Sequence, residues 1–99
     1  MTLDQRSPSS PPPKFYVNVS AQDFRVYPIV GKLLTRWESE NRNGTFAGFS
    51  EPYDYGEGLA IVRALGDRVP GAYWLPGSVV IAYKGFFFDL TAFAPPHAD

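Results

Sequence analysis

The sequence predicts an α+β fold: a mainly antiparallel sheet of about five strands, in the order β-α-β-α-β-β-β, with two helices on one face. Three observations carry that expectation. Strand-like and helical apolar spacings alternate through the first half of the folded region. The last third holds only strand-like runs, and its final two runs meet in a hairpin rather than through a helical crossover.

Composition sets the boundaries. Residues 1–13 read as a disordered tail, because Ser7–Pro13 offer no apolar side chain and four of these seven residues are proline. Ordering such a segment costs backbone entropy with no burial to offset it. A single α+β domain is expected over 14–94. Pro95-Pro96 ends regular structure and leaves a second disordered tail at 95–99.

Each element has its own warrant. Lys14–Ser20 alternates, with Phe15, Val17 and Val19 on one side and Tyr16 and Asn18 on the other, the period of a half-buried strand. Ser20 and Asp23 have the spacing to cap one short helical turn. Pro28 suits the first turn of the main helix, where its missing N–H is not needed. From there Ile29, Val30, Leu33, Leu34 and Trp37 form one apolar stripe, which predicts a helix over 28–41 closed by Asn43-Gly44. Thr45–Ser50 reads as a short strand weakened by Gly48. Asp54 and Glu57 stand in capping-box spacing before Leu59, Ile61, Val62 and Leu65, which predicts a second helix over 55–65 stopped by Gly66. Ala72–Leu75 reads as a strand broken by Pro76-Gly77. Val79–Tyr83 and Phe86–Leu90 pair across the two-residue connection Lys84-Gly85. The run VVIAYKGFFF is apolar enough to be covered on both faces, and two helices cover only one. A second copy, a partner or the chain's own loops must shield the other.

Charge and residue content exclude more chemistry than they suggest. The net charge is −1 and the nine basic residues are scattered, so no basic stripe exists for nucleic acid. No cysteine is present, which removes disulfides, thiolate metal sites and cysteine nucleophiles. No run of 18 apolar residues is long enough to span a membrane, and the N-terminus lacks the order of a signal peptide. The expected location is cytoplasmic.

The only histidine, His97, lies beyond Pro95-Pro96, too near the chain end to hold catalytic or metal-ligand geometry. Among carboxylates, Asp54 and Glu57 have a capping role, while Glu38 and Glu40 lie two apart on a helix and do not share a face. Asp89 shares a face with Phe87 and Thr91. It is either a solvated edge charge or, if buried, paired with Arg63 or Lys84. Gly44-x-x-x-Gly48 lacks the Lys-Ser/Thr of a phosphate loop, and Glu57 between Gly56 and Gly58 repels an anion at the helix start. Pro8-x-x-Pro11 fits a polyproline ligand, though such matches are common in any proline-rich tail.

Aromatics are the strongest positive signal, because loop Tyr and Trp give large contact area at low entropic cost. The expected function is therefore a small non-enzymatic protein-binding factor, of the inhibitor, immunity or accessory kind. Its partner is another protein, met through an acidic-aromatic surface of Glu51, Tyr53, Asp54, Tyr55, Glu57, Tyr73 and Trp74. No cofactor, nucleic acid or membrane is implied, and a homodimer through the uncovered sheet face is one way to shield it. Two alternatives stand beside this reading. One is a small hydrolase or nuclease with a divalent metal on Asp54, Glu57 and Asp89; the other is a small-ligand module lined by aromatics.

Overall fold

A computed structural model describes residues 1–7, 9–40 and 48–93. The fold is α+β, with a five-stranded sheet and three helices. In chain order the elements are β1 (Thr2–Gln5), β2 (Val17–Asn18), α1 (Ala21–Val26), α2 (Pro28–Glu40), β3 (Gly48–Ser50), α3 (Tyr55–Gly66), β4 (Ser78–Tyr83) and β5 (Phe86–Thr91). Across the sheet the strands run β2-β4-β5-β1-β3.

The main helix, the second helix and the final hairpin form where the apolar spacing places them. The hairpin turns on Lys84 (φ 51°) and Gly85 (φ 84°). Two successive positive φ values match the right-handed twist of the flanking strands. Its ladder runs from Tyr83↔Phe86 to Ser78↔Thr91. The short turn after Ser20 is α1, and the Asp23 carboxylate accepts a hydrogen bond from Ser20 N–H at 2.9 Å.

Four expectations give way. The sheet is mixed rather than mainly antiparallel, because β2 pairs with β4 in parallel. Three helices form instead of two, so the order is β-β-α-α-β-α-β-β. Ala72–Leu75 form no strand. Most consequential, the first residues are not a tail: β1 lies inside the sheet, antiparallel to β5 on one side and β3 on the other. Met1 and Leu3 alternate with Thr2 and Asp4, and both face the core. Gln5 is the third inward residue. It is 2 % exposed because its side-chain carbonyl accepts the Trp37 indole N–H at 2.8 Å. A polar residue that reads as tail is thus a core residue with a partner on α2. Of the strand expected at 45–50, Gly48–Ser50 is present; the rest lies outside the described residues, as do Asn43-Gly44, Pro8 and the C-terminal segment 95–99 with His97.

One sheet face carries the core. Leu3, Val79, Ile81, Phe88 and Leu90 are each at most 1 % exposed, and cross-strand register puts them side by side. Burying each stabilises by about 1.5–3 kcal/mol. Helix α2 covers them with Val30, Leu33, Leu34 and Trp37, whose ring meets Phe88 edge-on at 4.9 Å. Helix α3 adds Ile61, Val62 and Leu65. The opposite face shows Thr2, Asp4, Val80, Phe87, Asp89 and Thr91, none fully buried. The chain itself shields part of it: Tyr16 packs edge-on against Phe87 at 5.1 Å, and Arg6 reaches back to Asp89.

Candidate functional site

Two shallow clefts of about 280 and 320 Å³ flank the segment before β4, and Trp74, Leu75 and Ser78 border both. Gly71 (φ 83°) and Gly77 (φ 75°) hold left-handed conformations at the segment's two ends, a backbone state that side-chain-bearing residues seldom adopt. Between them Trp74 is the anchor. Its indole N–H donates to Gly66 O at 3.1 Å. Its ring lies where a Cβ on Gly66 would come within 2.8 Å. The glycine that closes α3 is thus also the seat of the indole.

On either side of that anchor the side chains leave the protein. Tyr73 is 83 % exposed and Leu75 69 %, the two highest values among the large apolar side chains described. The pattern from Ala72 to Leu75 alternates half-buried and exposed. The preceding turn is tied to α1 by Arg68, which pairs with Asp23. The Arg68 guanidinium, as hydrogen-bond donor, holds the Asp23 carboxyl below the usual carboxylate range despite partial burial, and the carboxylate raises Arg68 in return.

The cleft on the α3 side brings Tyr55 together with Trp74 and Leu75, with Arg63 and Asp67 at its rim. The other lies against the β2 side of β4. Its floor includes Val80, Asp89 and Arg6, and Lys14 and Phe15 close one end. Arg6 holds Asp89 with two hydrogen bonds, Nε to Oδ2 at 3.2 Å and Nη2 to Oδ1 at 3.0 Å. Asp89 is thus a half-exposed, paired carboxylate. Its partner is neither Arg63 nor Lys84, and Lys84 pairs with Glu38 on α2 instead. Sequence spacing had no means of finding Arg6, which lies 83 residues away.

The structure divides the seven residues expected to form one surface. Tyr55 and Trp74 share a cleft, with Tyr73 beside them. Glu51 sits at the other edge of the sheet, where Lys32 and Arg36 both bind its carboxylate, at 3.3 and 3.2 Å. Tyr53 packs against the core. Asp54 caps α3, accepting Glu57 N–H at 2.9 Å, and Glu57 is exposed in the first turn. Leu75, Lys14 and Arg6 belong to the clefts without having been singled out. For Leu75 a signal existed, since Tyr73 and Leu75 share one side of an alternating run.

No family model, curated protein or solved structure matches this chain. Among the described residues no group of three His, Asp or Glu side chains is placed to hold a metal ion, so Asp54, Glu57 and Asp89 do not assemble into the ligand set considered above. No helix among the described residues is long and apolar enough to cross a membrane.

Proposed function

We propose that this chain is a small protein-binding factor, of the inhibitor, immunity or accessory kind, whose contact surface centres on Tyr73, Trp74 and Leu75. One observation supports this most directly. The two most exposed large apolar side chains of the described residues flank a seated tryptophan within three positions. Large apolar groups held out in water beside an anchored aromatic are characteristic of interface hot spots. Tyr55 extends the surface across the α3 cleft. Both clefts are open and near the lower limit for small-ligand pockets, which favours a macromolecular partner over an enclosed ligand.

A photoreactive benzoylphenylalanine at position 73 or 75 tests the proposal in cells, with position 26 as the control. Val26 is 65 % exposed on α1 and lines neither cleft. A discrete cross-linked protein seen from 73 and 75 and absent from 26 supports the proposal. The same bands from all three positions, or none from 73 and 75, overturn it.

A further inference from the structure

We infer that the partner supplies an extended peptide that adds a strand to β4, filling the position left open beside Ser78–Val80. The inference rests on the protein-binding reading and specifies how that surface is used.

Strand β4 has six residues, but the strand beside it, β2, has two. Their parallel register covers only Val17↔Ile81 and Asn18↔Ala82. Among the described residues, Ser78, Val79 and the Val80 N–H therefore have no strand on that side. The cause is visible in the chain: it bends at Lys14–Phe15, where continuation of β2 in the same register would have run beside Ser78 and Val79. The 280 Å³ cleft opens beside this edge and over the outer face of β4 and β5, with Tyr73–Leu75 along one wall.

Backbone direction fits the same conclusion. Val19 N–H donates to Ala82 O at 3.0 Å, so the main-chain groups of Ala82 face β2. Two residues earlier in the same strand, those of Val80 face the same side; the register with Val17 engages its carbonyl, which leaves its N–H for an added strand. Ser78 lies a further two back; its N–H is taken by Leu75 O at 3.0 Å, while its carbonyl points toward the cleft. Main-chain pairing with such an edge supplies affinity, and alternate side chains of the added strand supply specificity. One set of those side chains would lie over Phe15, Val80 and Tyr73.

Charge selects among peptides. Arg6 and Asp89 neutralise each other on the cleft floor. Lys14 is exposed, and among the described residues it forms no ion pair, its ammonium lying 5.5 Å from the Phe15 ring. The cleft therefore carries one uncompensated positive charge at its Lys14 end. A strand with an acidic side chain there is the occupant it fits.

The experiment is selection of a random dodecapeptide phage library on the full chain, then titration of the winning peptide into 15N-labelled protein. The expected winners alternate apolar and polar residues, lack proline within the alternation and carry an acidic residue at one end. Lys14→Glu should replace that acidic residue by a basic one. The winning peptide should slow hydrogen exchange of the Val80 amide at least tenfold, and N-methylation on alternate residues should weaken its binding at least tenfold. Winners with helical or polyproline spacing, or binding unaffected by N-methylation, overturn strand addition. If such winners still need Tyr73 and Leu75, the protein-binding reading survives alone; if binding persists in Tyr73→Asp/Leu75→Asp, both fail. Val80 protection without peptide that rises with protein concentration assigns the position to a second copy of the chain and overturns the peptide partner.

Discussion

Two aromatic connections, residues 51–54 and 72–77, begin from similar side chains and end in different states. In the first, Glu51 N–H donates to Met1 O at 2.9 Å, its carboxylate is bound by Lys32 and Arg36, Tyr53 lies on the core and Asp54 caps a helix. In the second, Trp74 is half-buried and held by its indole N–H, and its neighbours Tyr73 and Leu75 stand in solvent. The difference lies in what runs alongside. Residues 51–54 follow β3, which pairs with β1, and α2 supplies two cations above them. Residues 72–77 approach a sheet edge where β2 is too short to reach them. An aromatic loop is consumed by the fold where neighbouring chain can satisfy it, and is left available where the neighbouring strand stops.

The contrast is sharpest inside the second segment. Trp74→Ala should lower unfolding free energy by about 3 kcal/mol, through lost burial and the cavity over Gly66. Tyr73→Ala should change it by less than about 0.5 kcal/mol, since its side chain is mostly in water. Urea denaturation of both variants measures this, and equal losses would break the distinction between anchor and free contact.

In the first segment the expectation reverses. Tyr53→Ala should destabilise by about 2 kcal/mol, because the ring packs on the core. Read from sequence alone, Tyr53 is an exposed contact whose removal leaves stability unchanged. A melting temperature equal to wild type would restore that reading.

The ion pair of Asp23 and Arg68 at the base of the second segment should make stability respond to pH. Asp23 has its pKa lowered from 3.8, chiefly by the Arg68 hydrogen bond. A carboxyl with a depressed folded-state pKa contributes stability that is present above the unfolded value and lost as pH falls through the folded one. Asp23→Asn should therefore be about 1 kcal/mol less stable than wild type at pH 7. The gap should narrow as pH falls below 3.8, the ordinary value. A gap constant from pH 7 to 2 in chemical denaturation would show that Arg68 does not act through the ionised carboxylate.

The smallest expected effect belongs to Glu51. Glu51→Gln should lose about 0.5 kcal/mol, because Lys32 and Arg36 are well exposed, and 1 M salt should erase the difference. A loss several times larger, unchanged by salt, would mean that the connection is held by that carboxylate rather than by its backbone.

Most of the helices and the hairpin were legible because their signals are local. Pro28, the apolar stripe from Ile29 to Trp37, Asp54 ahead of Leu59 and the Lys84-Gly85 turn each act within a few residues. The Thr2–Gln5 strand was not legible, because its two inward positions, one of them glutamine, fall below any pattern threshold until the strands on both sides and Trp37 are present. Ala72–Leu75 failed in the opposite sense: the alternation is real, but no strand among the described residues pairs with it. Of the candidate surface, Tyr55, Tyr73 and Trp74 came from residue type alone. Their separation from Glu51 and Tyr53, and the company of Leu75, Lys14 and Arg6, required the folded chain.

By itself, then, the sequence determined the segments whose energetics are local: where helices start, where a hairpin turns, which stripe is apolar. Tertiary structure decided which residues lie at the centre of the sheet and which aromatics remain free, since both depend on chain brought alongside from elsewhere, as Leu90 is to Leu3 and Trp37 to Gln5. Backbone hydrogen bonds and burial are satisfied wherever the chain can reach, and that reach is a property of the fold as a whole.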